Sequence, residues 1–146
     1  MTTAYQPRTM TPRLREEILF DADCFYCGAY GASDVEHVIP FSQGGSDHRD
    51  NLVAACSRCN VEKNAMRPDE WEAWRRERGY CWPPRSINSP EGLAVVNEMC
   101  SLLLLVADPE SVPTTLSKQT LKAFRNGATA EALAGMVLAN LTGGAK

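Results

Sequence analysis

Two Cys-x-x-Cys pairs, Cys24/Cys27 and Cys56/Cys59, constrain this chain more than any other feature. Each pair brings two thiolates to one side of a tight turn, and four thiolates close a tetrahedron around one metal ion. Such a set suits structural zinc and leaves no open position for chemistry. The same ligands accept iron, as in a rubredoxin-like electron carrier, and without metal they would be buried or redox-active thiols. Disulfides are the other use of an even cysteine count, but they belong to secreted chains. Met1 to Pro12 lacks the apolar core of a signal peptide. The spacing therefore reads as a metal site, and the protein is expected in the cytoplasm. Cys81 and Cys100 have no partner at ligand spacing and read as ordinary thiols.

With 146 residues, 44% hydrophobic and 23% charged, the chain has the makings of one domain, or one small domain with an appendage. Wholesale disorder is excluded. The longest apolar run, Leu102 to Ala107, is too short to cross a membrane. The net charge of −3 gives no basic footprint for nucleic acid, so charge alone nominates no partner.

Along the chain, residues 1–10 read as a mobile leader. Thr11-Pro12 reads as a cap and first helical residue, with Leu14, Ile18 and Leu19 at helical spacing, which predicts a helix over 12–21. Val35 to Ile39 is a strand candidate stopped by Pro40. Ser42 to Asn51 is a loop, Leu52 to Ala55 a second strand, and Ser57 to Met66 a helix. Pro68 starts another helix, ending near Gly79, with Trp71 and Trp74 on one face. A linker is expected at 81–90. Beyond it Leu93, Val96, Cys100, Leu103 and Val106 mark a helix that ends at Asp108-Pro109. Ser117 opens a short helix, and Leu133, Met136, Val137 and Leu141 mark a last one.

Both histidines lie between the cysteine pairs. The order there is Glu36-His37-Val38-Ile39-Pro40, Gly44-Gly45-Ser46-Asp47, Asn51-Leu52, then Cys56-x-x-Cys59-Asn60-x-x-Lys63. Over about residues 12–67 this pattern resembles the HNH endonucleases, whose zinc-bearing members carry four such cysteines. The resemblance implies an α+β fold. A small ββα-metal finger is stapled by the four-cysteine zinc site and flanked by helices, with a helical C-terminal region. It places a nuclease domain at 1–85 and a helical extension at 86–146, which serves packing, dimerisation or partner binding.

The resemblance also implies roles. His37 matches the general base that takes a proton from water, and Asn51 the residue that holds the loop orienting it. Asn60 matches a ligand of the catalytic divalent ion, Mg2+ or Mn2+. Glu36 stands where the family usually has Asp as the other ligand; its extra methylene shifts the carboxylate by roughly 1.5 Å. Lys63 and Arg58 are candidates for substrate phosphate, with Arg49 as a further one. His48 matches no required position and reads as solvent-facing.

The chemistry agrees: phosphodiester hydrolysis needs a base, an activated water and a cation for the developing charge. Adjacent strand residues point to opposite faces, so Glu36 and His37 converge on one site only if the strand bends or one group reaches around. The expected function is a DNA endonuclease. The expected partners are DNA and, through the C-terminal apolar residues, a second copy in a homodimer. The rival reading is a non-catalytic zinc module for nucleic acid or protein. Arginine outnumbers lysine 11 to 4, which points to a bacterial or phage genome.

Overall fold

The computed structural model describes residues 10–143, so the leader expected at 1–10 lies outside it except for Met10. The described residues form six α-helices, three short 3-10 turns and one two-stranded antiparallel sheet. They divide into two compact units, one running up to Arg78 and one starting at Gly79.

The first unit opens with α1 (Pro12–Leu19). Thr11 caps it, accepting a hydrogen bond from the Leu14 amide at 3.1 Å, and proline fills the first turn, where no amide hydrogen is needed. It stops before residue 21 because Asp21 turns to a positive φ of 47°. β1 (Asp34–His37) pairs antiparallel with β2 (Leu52–Ala55), in the register Asp34 with Ala55 through His37 with Leu52.

β1 is shorter than the apolar run Val35–Ile39 predicts. Past His37 the opposite chain is already turning through Arg49–Asn51. Ile39 therefore bonds to a side chain, that of Asn51, instead of a strand. Next come α2 (Ser57–Lys63) and α3 (Pro68–Glu77). α2 ends short of the expected 66, and α3 ends near Gly79 as expected. α2 ends where Asn64 takes a positive φ of 50°, and α3 just before Arg78 and Gly79 (φ 69°).

One apolar cluster of this unit consists of Ile18, Leu52 and Ala54, with Leu14, Leu19, Ala22, Ala32 and Val35 packed on it. Around it the burial is polar. Lys63 and Arg75 are wholly buried, each against a carboxylate, Glu36 and Glu62 respectively. Trp71 is also fully buried and meets the Tyr26 ring edge-on at 5.2 Å.

The second unit is helical: α4 (Pro90–Val106), α5 (Lys118–Arg125) and α6 (Ala130–Gly143). Met99, Leu103, Phe124, Ala130, Leu133, Ala134 and Val137 form one continuous buried cluster. Of the apolar residues that mark these helices in the sequence, Leu103, Leu133 and Val137 are buried, whereas Leu93 and Val106 are exposed.

The stretch expected as a linker is tied into this unit. The Cys81 amide donates to the Asn126 carbonyl at 2.9 Å, and the Arg85 guanidinium donates to the Ala128 carbonyl at 2.7 Å while lying over the Phe124 ring. Gly127 allows this approach: its φ is 106°, and a Cβ there would stand 2.9 Å from that of Cys81. Among the described residues no helix is long and apolar enough to cross a membrane.

Candidate active site and metal centre

The four cysteines come together as their spacing predicts. Cys24 and Cys27 sit on a knuckle closed by the Gly28 amide donating to the Cys24 carbonyl and the Cys24 amide donating to that of Ala29. The Phe25 amide ties the knuckle to β2 through the Ala54 carbonyl. Cys56 is the N-cap of α2 and Cys59 lies in its first turn. All four sulfurs lie within 4.8 Å of one another, and those of Cys27 and Cys56 are 3.7 Å apart. Metal–sulfur bonds of about 2.3 Å in a tetrahedron require sulfurs about 3.8 Å apart, so this donor set fits one ion such as zinc.

The crowding also splits the thiols electrostatically. The sulfurs of Cys24, Cys27 and Cys56 push the Cys59 thiol far up, while Cys24 is held down, chiefly by Cys27. Four thiols this close do not all ionise unless a cation sits among them.

The hairpin carries the remaining predicted residues and separates them by face. Glu36 points inward from β1. Its Oε2 accepts from the Tyr26 hydroxyl and its Oε1 from the Lys63 ammonium, each at 2.7 Å. Burial, then the neighbouring Glu36, pushes the Tyr26 hydroxyl pKa up, so the phenol stays a donor. Lys63, expected at substrate phosphate, is buried instead, and also donates to the His37 carbonyl at 2.9 Å. Asn60, on the same helix, donates to the Asp34 carboxylate at 3.2 Å. Two contacts, Asp34 with Asn60 and Glu36 with Lys63, thus join β1 to α2.

His37 leaves the strand on the opposite face, as strand alternation requires. The His37 Nε2 lies 2.7 Å from Asp47 Oδ1; the two side chains are 23% and 4% exposed. Asn51 braces the loop between them. Its Oδ1 accepts from the Ile39 amide at 2.8 Å, and its Nδ2 donates to the carbonyls of Ile39 (3.0 Å) and Ser46 (2.9 Å). Gly45 is pressed against this clamp: a Cβ there would fall 1.8 Å from the Ile39 oxygen and 2.9 Å from the Asn51 Nδ2.

The other candidates lie outside this arrangement. Arg58 is exposed on α2. Arg49 donates to the Leu52 carbonyl at 3.0 Å. His48 is exposed as expected and stands 3.2 Å from Asp50.

Sequence reasoning missed three residues in contact with the predicted ones. Tyr26 and Asp47 carried no signal of their partners, because both contacts depend on how loops fold back. Asp34 did carry one: it lies two residues before Glu36, hence on the same strand face.

Residues 24–66 match the family model described as HNH endonuclease. Over 47 residues the chain is 40% identical to the CRISPR-associated endonuclease Cas9 of Corynebacterium diphtheriae, covering 30% of this chain and 4% of that protein. Over 45 residues it is 42% identical to the Cas9 of Actinomyces naeslundii, covering 28% of this chain and 4% of the relative. The chain thus spans only a small part of the curated relatives that it matches. The family match starts at Cys24 and ends just past α2, so what is similar to the HNH endonucleases is the stretch that carries both cysteine pairs, the hairpin and α2, residues 24–66.

Proposed function

We propose that this chain is a metal-dependent endonuclease that hydrolyses DNA phosphodiester bonds, with the nuclease function in residues 1–85 and the helices of 86–146 as an extension. The observation that carries this reading lies inside the family-matched span. His37 stands partly exposed at a strand end, beside a loop that the Asn51 amide holds at three points. A purely structural zinc module has no need of that clamp.

In this reading the neutral His37 imidazole accepts a proton from the attacking water. Asn51 keeps the loop after β1 in place, so the ring is presented in one orientation. Glu36 and Asn60 hold the catalytic divalent ion, Mg2+ or Mn2+. Each Glu36 oxygen keeps acceptor capacity beyond its bond to Tyr26 or Lys63, and oxygen donors suit such an ion. When bound, the ion stabilises the charge that develops on the phosphate oxygens. Lys63 acts from within, fixing the Glu36 carboxylate, and Arg58 is the exposed cation for a phosphate. The four cysteines hold a structural zinc that joins the knuckle to α2. Action in the cytoplasm of a bacterial or phage-infected cell fits this chemistry.

The test is nicking of supercoiled plasmid with Mg2+ or Mn2+. His37→Ala should cut activity at least about a hundredfold, the scale of a general base, while leaving melting temperature and zinc content unchanged. A folded His37→Ala protein that nicks at the wild-type rate rejects the assignment and leaves the non-catalytic zinc module.

A homodimer is the second element of the proposal. Leu104, Leu105 and Val106, at the end of α4, are 55%, 80% and 69% exposed, and adjacent exposed apolar residues favour association. Light scattering that finds a monomer at micromolar concentration rejects it.

A further inference from the structure

We propose that Asp47 is a positioning residue for His37: its carboxylate fixes the tautomer of the ring and so decides which nitrogen faces the reaction. The inference rests on the reading of His37 as the base, and it assigns a role to a residue outside the expected set.

The argument begins with what the two groups can exchange. An ionised carboxylate has no hydrogen to give, so a 2.7 Å contact with a neutral imidazole requires the ring nitrogen to be the donor. The nitrogen in contact is Nε2. The hydrogen therefore sits on Nε2, and Nδ1 keeps the lone pair that can take a proton from water. Free imidazole has both tautomers available. A base that spends part of its time in the wrong one is idle for that part.

Burial makes the contact selective. The Asp47 side chain is 4% exposed, so water competes poorly for its Oδ1, whereas His37 keeps 23% of its side chain open. The carboxylate is the enclosed partner and the ring is the open one. That is the arrangement expected of a group that orients a base from behind.

The loop is built to deliver Asp47 to this place. The chain from Pro40 to Asn51 folds back so that Asp47 meets His37. Asn51 donates to the carbonyl of Ser46, the residue just before Asp47, and pins Ile39 at both its amide and its carbonyl. Gly45, two residues before Asp47, lies so close to the Ile39 carbonyl that any side chain would displace the loop. The Asn51 clamp thus acts on His37 through Asp47 as well as through the chain that follows the ring.

The test uses the full chain labelled with 15N-histidine. Long-range proton–nitrogen correlation reads the tautomer of each ring, and His48→Gln identifies the signal of the only other histidine. The wild type should show His37 protonated on Nε2 and bare on Nδ1. Asp47→Ala should give a mixture of tautomers, with kcat for plasmid nicking lower by about 10- to 100-fold, less than the loss of about 100- to 10,000-fold for removing a base outright, and KM within about twofold. Asp47→Asn keeps the shape, so it covers the case in which the alanine protein fails to fold; its amide can turn a donor toward Nε2, so it too should disturb the tautomer and lower kcat. A wild-type ring protonated on Nδ1 overturns the proposal, as does a folded Asp47→Ala protein with wild-type tautomer and kcat. An Asp47-dependent tautomer in a protein whose nicking is unaffected by His37→Ala upholds the pairing and removes the nuclease reading instead.

Discussion

The two units of this chain are stabilised by different means. From Gly79 onward, stability comes from ordinary apolar burial, with seven residues from Met99 to Val137 in one cluster. Up to Arg78, Ile18, Leu52 and Ala54 form one buried apolar cluster among the described residues, and Tyr26, Ala29, Ala55 and Trp71 are buried as well. What is added there is a set of partnerships: four sulfurs, the Lys63–Glu36 pair with Tyr26, and Arg75 against Glu62. Burial of carbon is forgiving, because neighbours can shift to fill a gap. Partnerships are not, because losing one member leaves the other buried and unsatisfied. A finger that presents polar chemistry at its surface needs rigid polar positions, and partnerships supply them.

The sharpest way to break this comparison is to remove the metal. Structural zinc contributes about 10–16 kcal/mol to folding in small finger peptides, more than the net stability of a typical domain, about 5–15 kcal/mol. A strong chelator, or Cys56→Ser, should therefore abolish amide-exchange protection across residues 24–63 and leave that of 90–143 in place. Exchange read by mass spectrometry separates the two regions. If protection of the finger survives loss of the metal, the four-cysteine site does not stabilise it.

The buried ion pair comes next. Lys63→Met leaves the Glu36 carboxylate enclosed with only the Tyr26 hydroxyl, and should cost about 3–5 kcal/mol. Adding Glu36→Gln should recover much of that loss, because the remaining charge is gone. Denaturant midpoints of the two variants check this. A single variant that costs less than the double one contradicts the partnership.

In the helical unit, Leu133→Ala removes a wholly buried side chain from the cluster. It should cost about 2–5 kcal/mol, felt as earlier exchange in 90–143. Here no second substitution should restore the loss by removing a partner, since none is left unsatisfied.

The same contrast explains what was legible in the sequence. The cysteine quartet was, because ligand spacing is local and its geometry is dictated by one ion. The strand positions and the six helices were, because their signals are periodicity, caps and proline. The opposed faces of Glu36 and His37 followed from strand alternation alone. The Asn51 clamp came with the family resemblance. The pairing of His37 with Asp47, and of Glu36 with Tyr26 and Lys63, was not legible. Those contacts join residues ten or more positions apart through loops, and a loop's path leaves no periodic trace. Lys63 misled for that reason: a lysine one turn past Asn60 reads as a surface cation until the strand opposite is found to carry the carboxylate that buries it. The expected linker misled as well, since its prolines hide a segment anchored by Cys81 and Arg85.

The smallest effect expected is also the one that sharpens the comparison most narrowly. Each unit has a helix opened by a hydroxyl cap. The Thr11 oxygen accepts from the Leu14 amide and the Ser117 oxygen from the Thr120 amide, both at 3.1 Å. A cap satisfies one amide at a helix end, so its worth does not depend on how the core behind it is made. Replacing either by alanine should cost about 1 kcal/mol. Near-equal losses for Thr11→Ala and Ser117→Ala would place the difference between the units in what they bury, with their helix ends alike. A loss several times larger for Thr11→Ala would mean that α1 is itself one of the finger's partnerships, because the helix that covers Leu52 would then depend on a single surface hydrogen bond for its position.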